Sequence, residues 1–215
     1  MPKVKFDRTP RPVRNKPLLS GCCRAATGRI SNGTISNGMR EYIVHALVLG
    51  VRDSWERDRL ACLFTKELGV LEARVVGGRR VLSKFAPHLN VGNLAVVRLV
   101  KKNAYTVTDA VSGERFTKLR RNPKEFSRAL ALLALLSYLL PREAPDLRLW
   151  HSAVRSFVAA RVDVGTILKL LGYDPLHAAC EVCGRKHPAC FVLSTQSFLC
   201  GSCRGKFKDV EVIYI

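Results

Sequence analysis

Four cysteines near the C-terminal end constrain this chain more than any other feature: Cys180-x2-Cys183, sixteen intervening residues, then Cys200-x2-Cys203. A Cys-x2-Cys turn puts two sulfurs on one side of a tight loop. Two such turns can bring four thiolates into a tetrahedron of the size Zn2+ requires, with a Zn to S distance of ~2.3 Å. The competing reading is four reduced thiols in a small core. It is disfavoured because the segment has few large apolar residues and could hardly fold unaided. Four sulfurs leave no coordination position open, so the expected cofactor is one structural Zn2+ per chain, held by Cys180, Cys183, Cys200 and Cys203. Cys190 and His187 lie in the connecting loop and are expected to be bystanders.

The second constraint is charge. Lys and Arg number 36 against 17 Asp and Glu, a formal net charge of +19 over 215 residues. An excess of that size attracts polyanions through long-range Coulomb forces and counterion release, so a nucleic acid is the expected partner. The excess is spread along the chain: 9 basic against 2 acidic residues over 1–41, 13 against 7 over 42–118, 9 against 5 over 119–179 and 5 against 3 beyond. A single polybasic tail is therefore not the whole explanation. No charged-then-apolar signal peptide opens the sequence, so the eight cysteines are expected to be reduced, in a cytosol. The longest apolar run, 129–140, is shorter than the ~20 residues a bilayer span needs, and no membrane segment is expected.

Residues 1–41 hold Arg, Pro, Gly, Asn and Ser with the near-repeat Ile-Ser-Asn-Gly at 30–33 and 35–38, and read as a disordered basic tail. The only methionines are Met1 and Met39, which makes Met39 an alternative start that would leave the tail untranslated. Such an acid-poor leader also resembles a transit peptide, although it shows no clear amphipathic helix. From Tyr42 the pattern changes to short β-type runs at 42–51, 59–65, 70–76, 94–101 and 105–111. Five strands with a long insertion, 77–90, between the third and fourth is the layout of an OB barrel. Asn122-Pro123-Lys124-Glu125 reads as a helix start, with Asn as N-cap, Pro at the first position and Glu placed to reach back. Helices are expected to about Leu140, from Asp146 to about Val162 with Leu147, Trp150, Val154, Phe157 and Val158 as its stripe, and from Asp163 to Leu171. The fold class is thus α+β and multidomain: an N-terminal OB-fold five-stranded β-barrel (42–118), an α-helical domain (119–179), a four-cysteine zinc-binding motif (180–207) and a C-terminal tail (208–215).

Chemistry beyond binding finds little support. A zinc deaminase needs an H-x-E arrangement and a P-C-x-x-C knuckle, whereas Leu176-His177-Ala178-Ala179 precedes Cys180. There is no Walker loop and no G-x-S-x-G elbow, so an enzyme acting on a small-molecule substrate is not expected. The binding constellation is Arg74, Arg79, Arg80 and Lys84, in and after the third strand. Gly77-Gly78 permits a sharp turn that would project the arginines beside the barrel, although an ordinary solvated loop fits the same residues. Tyr42, Phe64, Phe85 and Tyr105 are the plausible stacking platforms, or equally core. Strong charge with weak stacking favours backbone grip with little sequence preference.

The order of these parts resembles the RecO family of bacterial recombination mediators. The similar segments are Tyr42-Ile-Val-His-Ala-Leu-Val-Leu, Glu56-Arg-Asp-Arg-Leu-Ala-Cys-Leu-Phe-Thr, Gly69-Val-Leu-Glu-Ala-Arg-Val-Val-Gly-Gly-Arg-Arg and Ser83-Lys-Phe. Leu170-Leu-Gly-Tyr-Asp-Pro-Leu leading to Cys180-x2-Cys183-Gly184 resembles the family's helix-to-zinc signature. The resemblance covers roughly 42–207. It implies a DNA repair and recombination protein that binds ssDNA and dsDNA, anneals complementary strands, and works with RecR to load RecA onto DNA coated by the single-strand binding protein SSB. It also implies that the helical domain docks the acidic C-terminal tail of SSB, with Arg120, Arg121, Arg128, Arg148 and Arg155 as material for a basic rim. The family's DNA-contacting role falls by motif position on Arg79, Arg80 and Lys84, with Arg57 and Arg59 as further candidates, in a nucleoid-associated protein of the bacterial cytosol. The chain departs from the family at Gln196-Ser197-Phe198, where a Gly-Gly pair often stands. The competing class is a basic zinc-ribbon protein bound to ribosomal or other RNA.

Overall fold

The computed structural model describes residues 35–36, 39–54, 57–80, 83–206 and 212–215. Residues 1–34 of the expected tail lie outside the described residues. The remainder of that tail is not unstructured where described: β1 (Ile35–Ser36) pairs with the start of β2 (Met39–Ser54).

β2 is followed by β3 (Asp58–Thr65), β4 (Gly69–Val75), β5 (Leu94–Lys101) and β6 (Tyr105–Glu114). The length of β2 lets it serve two partners. Residues 40–47 pair with β5 and residues 46–54 with β3, with a shift of register between Val48 and Gly50. Sheet pairing then runs β2-β3-β4-β6-β5 and returns to β2. The decisive pairing is the short parallel one between β4 and β6, Ala73 opposite Tyr105 and Arg74 opposite Thr106. The five sequence-predicted strands are all present: β2 and β6 run past their predicted ends, β5 matches at both ends, and β3 and β4 begin one residue earlier, β4 also ending one residue short.

The burial pattern of β2 shows why it is apolar. Tyr42, Val44 and Ala46 alternate with exposed positions, as one-sided strands do, and then Leu47, Val48 and Leu49 are all buried. Val48 faces the sheet interior with Leu63, Leu71, Val97 and Leu99, while Leu47 and Leu49 join Phe64 and Val70 in a second core shared with the helices. The segment between β4 and β5 sends Phe85 and Leu89 into the interior core, and buried Asn93 donates to the carbonyls of Pro87 and His88, each at 3.3 Å.

Four helices follow: α1 (Thr117–Arg120), α2 (Pro123–Leu139), α3 (Leu147–Val158) and α4 (Val164–Leu170). The starts of the last three follow from capping chemistry. Asn122 accepts from the Glu125 amide, Asp146 from those of Arg148 and Leu149, and Asp163 from that of Thr166, each worth about 1 kcal/mol. Glu125 does not reach back to the cap. Its carboxylate accepts instead from the Val162 amide at 2.9 Å, tying the start of α2 to the turn before α4. The α3 stripe also differs from expectation. Leu149, Trp150, Ala153 and Phe157 are buried, whereas Leu147 and Val158 are exposed. The helix turns its face to the edge-on pairs Trp150 with Phe64 and Phe157 with Phe116.

The chain between α2 and α3 straps the helices to the sheet. The Glu143 amide donates to the Val70 carbonyl at 2.9 Å, and the Glu143 carboxylate accepts from Lys101 Nζ at 2.8 Å and Tyr105 Oη at 3.2 Å. The C-terminal region forms a second sheet from β7 (Cys190–Val192), β8 (Ser197–Leu199) and β9 (Val212–Tyr214), in order β8-β7-β9. Two readings change here. The residues after 208 supply β9 rather than only a tail, and the cysteine segment is not short of core residues. Phe191, Leu193, Phe198 and Ile213 belong to the same core as α2 and α3.

Candidate nucleic-acid interface and four-cysteine cluster

The C-terminal end of β4 gathers most of the candidate binding residues. Arg74 lies on β4 and Arg59 on β3. Arg57 is in the β2 to β3 turn, and Arg79 and Arg80 are in the turn after β4. Gly77, in the left-handed region at φ 66, lets that turn reverse. The amide of Gly78 donates to Val75, that of Arg80 to Gly77, and that of Arg79 to the Arg57 carbonyl at 3.1 Å. The last bond joins two segments that are separate in sequence. Lys84 is exposed a few residues on, with its ammonium 5.1 Å from the Phe85 ring centroid.

Two carboxylates organise this end. Asp58, with only 6% of its surface exposed, accepts from Arg74 Nε at 2.7 Å and from the Gly77 amide at 2.9 Å. The Gly77 bond first, and then Arg74, hold its carboxyl below the ordinary value of 3.8. Asp53 accepts from Arg59 at 3.2 Å and lies 3.5 Å from Arg79 Nε. Five guanidinium groups against two carboxylates leave a local excess of three positive charges among these seven residues. The structure thus divides the predicted set. Arg74 and Arg59 fix the scaffold as well as contributing charge, while Arg57, Arg79 and Arg80 are exposed.

Sequence reading left one further exposed cation of the OB sheet unassigned, Lys102. The parallel β4 to β6 pairing starts β6 beside Ala73 and runs the turn 102–104 back toward the Gly69 end of β4, so Lys102, exposed at its start, stands apart from the Arg79 and Arg80 turn. The signal was available in Lys101-Lys102-Asn103, since the loop between the fourth and fifth strands of an OB sheet is one of its two ligand-binding loops. The four aromatic residues considered as platforms are core: Tyr42, Phe64, Phe85 and Tyr105 are all buried. Phe64 and Val70 lie under the helices, so part of the outer face of β3 and β4 is already covered.

A concavity of about 610 Å³ opens among α2, α3, α4 and the end of the chain. Val162, Val164 and Ile215 form part of its wall, and Arg128, Arg155 and Arg161 its basic lining. Arg128 pairs with Glu125 at 3.0 Å. Arg121 and Arg148 do not line it. Arg120 is committed elsewhere, donating to the carbonyls of Arg115 and Val91 and to the Asn93 side chain.

The ligand atoms of Cys180, Cys183, Cys200 and Cys203 all lie within 4.8 Å of one another. The sulfurs of Cys183 and Cys200 are 3.7 Å apart. A tetrahedral Zn site with ~2.3 Å bonds requires about 3.8 Å between sulfurs, so the donor set fits the ion. Burial opposes ionisation of Cys180, but backbone N–H groups of Cys200, Cys183 and Val182 outweigh it and lower the pKa to about 6. Hydrogen bonds with Cys200 and Cys183 push Cys203 up to about 12. One thiolate is thus favoured while its neighbour resists ionising beside it, and a bound cation would resolve that conflict. Cys190 is buried beside Cys180 and Cys200 but outside the group of four, its thiol donating to the Leu199 carbonyl at 3.4 Å and its pKa raised by burial.

A closed five-strand sheet of OB layout, a helical unit and a four-cysteine ribbon define a multipart OB-fold protein. The family model "Recombination protein O N terminal" matches residues 39–113. Relatives named DNA repair protein RecO include one from Caldanaerobacter subterraneus subsp. tengcongensis, 26% identical over 190 residues, 81% of this chain and 76% of the relative. Another, from Heliobacterium modesticaldum, is 33% identical over 155 residues, covering 68% of this chain and 57% of the relative. A third, from Symbiobacterium thermophilum, is 29% identical over 158 residues, covering 68% and 62%. The chain belongs to the DNA repair protein RecO family. Among the described residues no helix is long and apolar enough to cross a membrane.

Proposed function

We propose that this chain is a non-enzymatic recombination mediator in DNA repair, gripping the sugar-phosphate backbone of ssDNA and dsDNA at the end of β4. The observation that carries the reading is the convergence of Arg57, Arg74, Arg79 and Arg80 on one end of the OB sheet while its aromatic residues are buried. Guanidinium and ammonium groups bind phosphate oxygens without regard to base. Strands held this way keep their base edges free, which is what annealing a complementary strand requires. The domain division read from the sequence, with the OB-fold barrel at 42–118 as the DNA-binding part, belongs to this proposal.

In the same reading the cleft among α2, α3 and α4 receives the acidic, apolar C-terminal tail of SSB, with Arg155 and Arg161 meeting its carboxylates. RecR joins the chain on DNA, and the assembly passes the strand to RecA in the bacterial cytosol. Zn2+ held by Cys180, Cys183, Cys200 and Cys203 supplies a structural crosslink. The residues of this chain supply the binding.

The test is annealing of complementary strands precoated with SSB, with and without an intact SSB tail. Faster annealing that depends on the tail is the expected result. No acceleration on naked or coated strands, with co-sedimentation on ribosomes instead, would replace DNA by RNA as the partner.

A further inference from the structure

Resting on the reading that the end of β4 holds one strand, we propose that the first cysteine knuckle is a second phosphate-binding surface, carried by Arg185 and Lys186, that holds another strand. The knuckle is a short hairpin closed on itself. The Gly184 amide donates to the Cys180 carbonyl at 2.8 Å and the Cys180 amide to the Arg185 carbonyl at 2.9 Å, and Ala179 bridges Lys186. Gly184 takes φ 70, which a β-carbon would strain. The two cations therefore leave a backbone already fixed at both ends, so gripping an anion orders little beyond the side chains themselves.

Their charges are not spent inside the protein. Both side chains are exposed, and neither takes part in an ion pair among the described residues. This contrasts with Arg59, Arg74 and Arg128, each of which faces a carboxylate. Position makes the second surface distinct from the first. The helical unit and its strap cover the Gly69 and Val70 end of β4, and the ribbon reaches the helices through β9 against α2. Arg74 lies at the other end of β4, away from that cover. One chain thus presents two cationic surfaces with the helical unit between their supports, the arrangement needed to bring two polyanionic strands together against their mutual repulsion.

The experiment compares the wild-type chain with R185A/K186A, using a fluorescent oligodeoxythymidylate for single-strand binding and a complementary oligodeoxynucleotide pair for annealing. Binding of the first strand should change by less than about threefold, while the annealing rate falls about tenfold and loses part of its salt dependence, at ~0.7 to 0.9 of log-log slope per phosphate released. Acylation of Lys186 in the wild type, read by peptide mass, gives a measure independent of variant folding. It should be protected once a second strand is added. Wild-type annealing by the variant, with Lys186 equally reactive in the presence of both strands, overturns the proposal while leaving the β4 site standing. Failure of the wild type to bind the first strand overturns both.

Discussion

Asp58 accepts from Arg74 at 2.7 Å and from the Gly77 amide at 2.9 Å, so one buried carboxylate anchors both the last exposed cation of β4 and the turn that carries Arg79 and Arg80. An acidic residue therefore holds the proposed anion-binding end in shape. Losing it would leave Arg74 without its partner and Gly77 without its acceptor, and the turn would lose its fixed direction.

Asp58→Asn should weaken DNA binding even though it removes a negative charge from a cationic surface. The same residue sets an acid dependence. Its carboxyl is held below 3.8 in the folded chain, so between the folded and unfolded values the unfolded chain binds more protons and acid favours unfolding. The stabilisation is present above the unfolded value and lost as pH falls through the folded one. Thermal midpoints measured from neutral pH to below about pH 4 should fall more steeply for wild type than for the variant. Parallel curves would remove this role.

Arg79→Ala with Arg80→Ala should weaken binding to all DNA sequences alike and flatten the salt dependence by about 1.4 on single strands, at ~0.7 per phosphate contact. Fluorescence anisotropy across a salt series reads both. Unchanged affinity and slope in the double variant would remove the proposed grip.

Cys180→Ser, or chelation of the Zn2+ proposed for this site, should cost more than the ribbon. Phe191 and Phe198 are packed into the core that includes Leu132, Leu136 and Trp150, and losing the packing of one such phenylalanine costs about 3–5 kcal/mol. Denaturant unfolding should show the helices destabilised, with exposed apolar surface, while strands around Val44 and Leu63 persist. Zinc uptake by the wild type should release protons and weaken on acidification, because the thiols must ionise to bind.

Gly69→Ala tests the strap between α2 and α3. Gly69 has φ +73, and a β-carbon there would run into the Ala144 backbone. Strain and displacement together should cost about 2–4 kcal/mol, read as a lower unfolding midpoint. A shift within measurement error would mean the strap yields without cost.

The OB strands, the helix starts at Asn122, Asp146 and Asp163 and the cysteine knuckles were legible because each is written in neighbouring residues. Alternation, capping and turn chemistry act over a few positions, so local composition reports them. The ends of α3 and the roles of Leu147 and Val158 were less legible because these two are its first and last residues, where apolar spacing does not say whether a neighbouring element covers the helix end. The aromatic residues were ambiguous for the same reason, since a tyrosine at position 42 or 105 looks alike whether it stacks on a base or fills the interior.

By itself the sequence determined the element order, the cationic excess and the thiol spacing. Closure of the sheet decided the rest. Arg74 stands opposite Thr106 only because β4 and β6 pair in parallel, and that pairing places Tyr105 beside Ala73, more than thirty residues earlier in the chain. Contacts between distant positions depend on how whole strands coil and which faces the helices cover, and no short window of residues encodes either.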